Sequence, residues 1–381
     1  MEALMTSTTP ATNSATSPQS AEDTFDVRPS SHPRTAEERA EVLSDLGFGV
    51  AFTDHMARAT WTSDAGWHDR RIEAYAPLQL DPAAAVLHYA QEIFEGLKAY
   101  AHADGSVWAF RPEANARRFA RSARRLALPE LPEEDFLASI RALVHTDVEW
   151  VPTSSGASMY LRPFMFASEA FLGVRPAKRV EYLVIASPVG PYFTRGFTPV
   201  SIWVSEEYHR AGPGGTGEAK CGGNYAASLL PQQEAYAHGC DQVCFLDSST
   251  NTLLEELGGM NLFVVGADGV VSTPRLSGTI LEGVTRSSIL ELLGEQGHEV
   301  RERDIPLAEV LDGVASGAVT EVFACGTAAV VTPVGRLASA RFDVSVADGA
   351  AGAVTTAIHT ALTDVQFGVQ EDTHGWMQRL V

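Results

Sequence analysis

The chain has 381 residues, 45% of them hydrophobic, enough for one large or two ordinary domains with their own cores. Its net charge of −20 argues against a nucleic-acid partner, because polyanions are repelled, and it suits a soluble enzyme whose positive sites are local. No apolar run is long enough to span a membrane. The four cysteines (Cys221, Cys240, Cys244, Cys325) are too few and scattered for a disulfide framework, which points to a reducing, cytoplasmic compartment.

Residues 1–35 are rich in Ser, Thr, Pro and Ala and predict a disordered tail. The tail lacks the apolar core of a secretion signal and is too acidic and arginine-poor for a transit peptide. Thr35 before Ala-Glu-Glu-Arg predicts a capped helix over 36–45. A helix is expected over 84–95. The turn Ala103-Asp104-Gly105 predicts a hairpin of strands Leu97–His102 and Ser106–Arg111. Helices at 113–126 and 132–146 and strands near 158–167 and 180–187 complete a small N-terminal domain, 36–186.

Residues 187–200 hold three prolines and two glycines, as an interdomain loop would. A larger domain, 201–381, then opens with the strand Val200–Ser205. A helix over 224–238 and strands Gln242–Asp247, Asn261–Val265 and Val270–Thr273 follow. After them come a helix from Thr285 to Gln296 and strands Val319–Cys325 and Val330–Val334. The mixture is α+β. Cys240 and Cys244 beside His238 suggest a metal, but a fourth ligand is not apparent, and buried or idle thiols are the favoured reading.

Chemistry concentrates in Gly-Gly-Thr-Gly-Glu-Ala-Lys-Cys-Gly-Gly-Asn-Tyr, residues 214–225, with Lys220 its single amine. Glycines let backbone approach a ligand closely. A lysine held in such a place can lose its proton and condense with a carbonyl. Two nucleotide readings fail. Gly212, Gly214 and Gly217 spell G-x-G-x-x-G without a strand leading in, and Ala219 and Cys221 flank the lysine where a Walker loop needs Gly and Ser or Thr.

Pyridoxal phosphate is the obvious carbonyl partner, and it makes further demands. Its phosphate finds two candidates: Gly283-Val284-Thr285-Arg286 opening a helix, and Gly326-Thr327-Ala328-Ala329 between strands. An arginine of helix 113–126 would add charge, though periodicity does not say which. Its pyridine nitrogen needs an acid, and Glu255-Glu256 precede a strand beside glycines. Glu255 reads as a solvent-facing turn residue; Glu256 reads equally well as functional or structural.

In this order the stretches resemble the branched-chain amino acid aminotransferases, fold-type IV pyridoxal phosphate enzymes, over roughly residues 36–381. The resemblance is carried by Tyr89, Phe94-Glu95-Gly96-Leu97-Lys98-Ala99-Tyr100, Phe110-Arg111-Pro112 with Arg118, and Tyr160-Leu161-Arg162-Pro163. Gly190-Pro191-Tyr192, Ala219-Lys220, Gly223-Asn224-Tyr225, Glu256, Gly283–Arg286 and Gly326-Thr327-Ala328 complete it. It implies a small α/β domain joined by a loop to a larger, β-barrel-like domain.

It also implies roles. Lys220 forms the internal aldimine and shuttles the Cα proton, for which its pKa should be depressed. Glu256 faces the pyridine nitrogen, and Tyr225 bonds the ring hydroxyl. Arg118, Val284, Thr285 and Thr327 cup the phosphate. The Thr327 and Ala328 amides, with Tyr160, take the α-carboxylate. Tyr89, Phe94, Tyr192 and Tyr225 wall an apolar pocket, and Arg162 receives the distal carboxylate of glutamate. The implied reaction is a ping-pong transfer from L-leucine, L-isoleucine or L-valine to 2-oxoglutarate by a homodimer whose pockets borrow residues from the neighbouring subunit. D-amino acid aminotransferase, aminodeoxychorismate lyase, amine transaminase and non-catalytic cofactor binding are the alternatives. Ala329–Thr332 hold no cysteine, so the redox switch of some animal relatives is not expected.

Overall fold

Phe25 opens the described chain as a core residue. The computed structural model describes residues 25–193 and 196–381. Most of the expected tail, residues 1–24, lies outside them, but residues 25–35 are not tail. Strand β1 (Asp26–Val27) pairs in parallel with β3 (Gly66–Ala74). Thr35 then caps α1 (Ala36–Ser44) with a full capping box, its hydroxyl taking the Glu38 amide while Glu38 returns to the Thr35 amide.

The first sheet continues through β2 (His55–Thr62), β4 (Glu92–Phe94), β5 (Leu97–Ala101), β6 (Val107–Phe110), β7 (Ser158–Ala167) and β8 (Arg179–Val189). Its order is β1-β3-β2-β8-β7-β5-β6, with β4 on β7. The helix expected over 84–95 is only α2 (Ala85–Tyr89). Ala90 turns left-handed and Glu92–Phe94 pair with β7, so tertiary pairing overrides local propensity. Helices α3 (Pro112–Arg125) and α4 (Glu133–Thr146) cover one face through Phe119, Phe136, Ile140 and Leu143, packed on Tyr182 and the alanines of β2. That burial is the hydrophobic drive holding the small domain together.

Strand β8 ends at Val189, inside the expected loop, and the second sheet begins at β9 (Val200–Ser205). It adds β10 (Gln242–Leu246), β11 (Leu254–Leu257), β12 (Asn261–Gly266), β13 (Val271–Pro274) and β14 (Val300–Arg303). It closes with β15 (Val319–Gly326), β16 (Val330–Ala338) and β17 (Asp343–Ser345). The order is β11-β10-β9-β16-β15-β12-β13-β14, with β17 on β16, and the sheet curls into a half-barrel.

The single helix expected over 224–238 is two, α5 (Gly222–Ala226) and α6 (Leu229–Ala237). Helices α7 (Val284–Glu295), α8 (Leu307–Ser316) and α9 (Ala353–Gln366) pack on the curled sheet. The last strand, β18 (Met377–Arg379), crosses back to pair with β6. A shared core of Tyr100, Phe110 and Trp376 with Phe263, Phe323 and Ile289 joins the two sheets. No helix among the described residues is long and apolar enough to cross a membrane.

Candidate active site

The cleft between the sheets is built around Lys220, whose backbone is fixed on both sides. Its amide donates to Ser122 Oγ of α3 at 2.9 Å, and its carbonyl accepts from the Phe94 amide of β4 at 2.9 Å. The loop before it is stapled by Asn224, which donates to the Thr216 and Ala219 carbonyls at 2.8 and 2.7 Å. At Gly217 a Cβ would sit 2.4 Å from the Thr279 carbonyl oxygen, so the close approach requires glycine.

The lysine ammonium lies 2.9 Å from Tyr225 Oη and 4.9 Å from the Phe94 ring centre. Phe94 and Tyr225 are tilted at 4.9 Å. Tyr160 and Tyr192 each pack on Phe48, at 5.2 and 5.0 Å. Arg162 lies 4.7 Å over Phe94 and donates to Tyr160 Oη at 3.1 Å, while its buried Nε has no hydrogen-bond partner among the described residues. The result is an aromatic box carrying one amine and one guanidinium.

Glu255 and Glu256 lie in strand β11, and both are buried; the turn expected for Glu255 is corrected, since the strand's pairing with β10 carries it inward. Glu256 pairs with the equally buried Arg210 at 2.8 Å and accepts from the Leu281 amide at 2.9 Å. Burial pushes its carboxyl up; Arg210, the Leu281 amide and the Lys220 charge oppose that without reversing it.

Arg118 is the arginine of α3 that turns inward. It forms a two-pronged pair with Glu95 at 2.7 and 2.8 Å and also donates to the Glu282 carbonyl at 3.0 Å. Glu95 is 0% exposed. Burial works to raise its carboxyl, but Arg118, with Lys220 and Asn115 assisting, holds it below the usual range. Glu95 thus anchors the guanidinium, and two of its five N–H groups remain for a further anion.

Helix α7 starts at Gly283 with no side-chain cap, leaving its first amides free for an anion. Val284, Thr285 and Thr327 line one narrow cleft with Lys98 and Asn115. Lys98 is 6% exposed, donates to the Ala328 carbonyl at 2.9 Å and has no carboxylate partner among the described residues. The free amides, with the Thr285 and Thr327 hydroxyls beside them, fit a phosphate. Val330, just beyond the turn, holds φ 59°, an uncommon posture for a β-branched residue that keeps the turn tight.

Tyr89 is the predicted site residue that is not gathered here. It is 40% exposed, gives its hydroxyl to the Leu172 carbonyl and makes no contact with Lys220, Phe94 or Tyr225 among the described residues. Phe48, Glu95, Lys98 and Arg210 carry no role legible from sequence, since nothing in their local pattern announces partners far along the chain.

The family model for class IV amino-transferases matches residues 92–337. The chain belongs to the class IV aminotransferase family. It is 53% identical to the branched-chain-amino-acid aminotransferase of Mycolicibacterium smegmatis, over 93% of this chain and 98% of that protein. The Escherichia coli branched-chain amino acid aminotransferase superposes with a TM-score of 0.71 at 30% identity, covering 85% of this chain and 100% of the other. A further branched-chain amino acid aminotransferase, from the source abbreviated T.th. and complexed with N-(5'-phosphopyridoxyl)-L-glutamate, does so with a TM-score of 0.70 at 29% identity, covering 85% and 99%. Membership makes this chain a transferase of amino groups with the fold-type IV architecture.

Proposed function

We propose that the protein transfers the amino group of L-leucine, L-isoleucine or L-valine to 2-oxoglutarate in two alternating half-reactions. Pyridoxal phosphate, when bound, supplies the carbonyl that accepts the amine and a ring that delocalises charge from the substrate Cα. The residues around Lys220 then divide the work. Lys220 Nζ, once neutral, would carry the Cα proton to the cofactor's C4′ in the first half-reaction and carry one from C4′ to Cα in the second. Glu256 holds a proton at the pyridine nitrogen, and Tyr225 positions the ring hydroxyl. The free amides at Val284 and Thr285, with Thr327 and Arg118, hold the phosphate. The Thr327 and Ala328 amides and Tyr160 Oη orient the α-carboxylate.

Phe94, Tyr192 and Tyr225 exclude water from the side chain, and full burial of a branched chain is worth about 1.5–3 kcal/mol. Arg162 carries the two-substrate reading: its guanidinium lies against these aromatic walls with a buried, unpartnered Nε. It lets the same box accept a glutamate carboxylate through a charge-assisted bond. The phosphopyridoxyl-glutamate held by the T.th. enzyme supports this reading. Tyr89, exposed and bonded to the Leu172 carbonyl, belongs on this reading to the pocket of a neighbouring copy in a homodimer.

Lys220→Ala tests the assignment. Glutamate formation from L-leucine and 2-oxoglutarate should fall to background while the circular-dichroism spectrum is retained. Near-normal transamination by this variant would overturn the proposal. Activity on D-alanine in place of L-leucine would move the protein to another branch of the fold.

A further inference from the structure

A cavity of about 480 Å³ opens beside Ala328–Thr332, and Lys220 is not part of its lining. Ala328 and Tyr192 belong to its lining, whereas Phe94, Tyr160 and Tyr225 do not. Its walls are largely apolar, with Phe193, Val331 and Phe367 among them, and Phe197 and His359 meet ring to ring at 4.1 Å on another side.

Three polar groups stand out against this lining. Lys98 offers an ammonium with one N–H spent on the Ala328 carbonyl and the others free. Burial pulls it down to about 8, so it is still largely protonated near neutrality. Tyr100, two residues along β5 and therefore on the same face, is 3% exposed, and its hydroxyl has no hydrogen-bond partner among the described residues. Asp364 of α9 is the single acid on the wall.

We propose that this cavity is a second binding site, for a free apolar α-amino acid taken as the zwitterion. Its carboxylate receives the Lys98 ammonium and the Tyr100 hydroxyl. Its ammonium faces Asp364, and its side chain lies against the aromatic and branched walls. A bare carboxylate would leave Asp364 opposed, and a bare amine would leave Lys98 opposed; a zwitterion answers both charges. The volume is ample for a ligand of leucine size. The inference rests on the cavity and not on the transamination reading.

The probe is 1-aminocyclopentane-1-carboxylate, a zwitterion that has no Cα hydrogen and cannot be transaminated. Calorimetric titration of the cofactor-loaded enzyme should show a binding event that Tyr100→Phe weakens by about tenfold, the loss of one charge-assisted bond. Thr363→Trp, which fills the cavity from α9, should abolish that event and leave the KM for L-leucine unchanged. The absence of any event sensitive to both substitutions overturns the site. So does a loss matched by an equal rise in KM, which would assign the event to the active site. Turnover of L-leucine is recorded on the same samples. An active enzyme lacking the event sinks only the second site, and an inactive enzyme retaining it sinks only the transamination reading.

Discussion

Lys98 is a cation enclosed by protein with a carbonyl, not an acid, for company. Its folded pKa of about 8 lies below its ordinary 10.5, so between those values the unfolded chain holds more protons than the folded one. Folding stability therefore rises with pH across that window. Relative to Lys98→Met, the wild-type chain should gain about 3 kcal/mol between pH 8 and pH 10.5, read from urea denaturation at the two ends. A flat difference would mean that the amine is solvated. Gly96 is constrained more bluntly, because a Cβ there would sit 2.0 Å from Tyr160 Oη. Gly96→Ala should displace that phenol and raise the KM for both amino acid and oxo acid by about tenfold with little loss of fold, as steady-state kinetics would show. Lys220, Tyr225, Glu256 and Arg162 were legible because short motifs surround them. Arg210 and Lys98 were not, since the carboxylate and the carbonyl that they meet lie 46 and 230 residues away.

At the level of elements, α3 does more than cover the first sheet. Its Arg118 reaches Glu95 at the β4–β5 junction and its Ser122 takes the Lys220 amide, so one helix fixes both walls of the cleft. Glu95→Ala would strand a buried guanidinium and should cost about 3–5 kcal/mol in chemical denaturation. A cost below about 1 kcal/mol would show the pair to be water-exposed. Helices and strands with a clear apolar period emerged from sequence, among them α3, α4, β7 and β9. The hairpin of β2 and β3 did not, because Arg58, Arg70 and Arg71 interrupt the alternation and are accommodated by Glu73, Glu181, Asp69 and Asp135. Helix α9 was equally silent: its first turns are threonine-rich, and packing against β15 and β16 stabilises what propensity alone does not.

For the molecule as a whole, Leu87, Tyr89, Leu172 and Val174 are exposed apolar residues, and the Tyr89 hydroxyl links their two segments through the Leu172 carbonyl. On the proposed homodimer reading a second copy covers them and borrows Tyr89. Replacing Leu172 and Val174 together by aspartate should shift light-scattering mass to that of one chain and reduce turnover, with the circular-dichroism spectrum retained. An unchanged mass would remove this face from the interface. Such a partnership lies between copies, so one chain's pattern of residues announces it only through resemblance.

The return of β18 to β6 carries a consequence for how the molecule comes into being. Met377–Arg379 supply the outer partner of a strand that leaves the ribosome about 270 residues earlier. Until those residues emerge, β6 presents a bare hydrogen-bonding edge, the kind of template on which nascent chains stick to one another. The small domain is thus finished last although it is made first, and shaving off the closing segment should show up as clumping during synthesis before it shows up as lost chemistry.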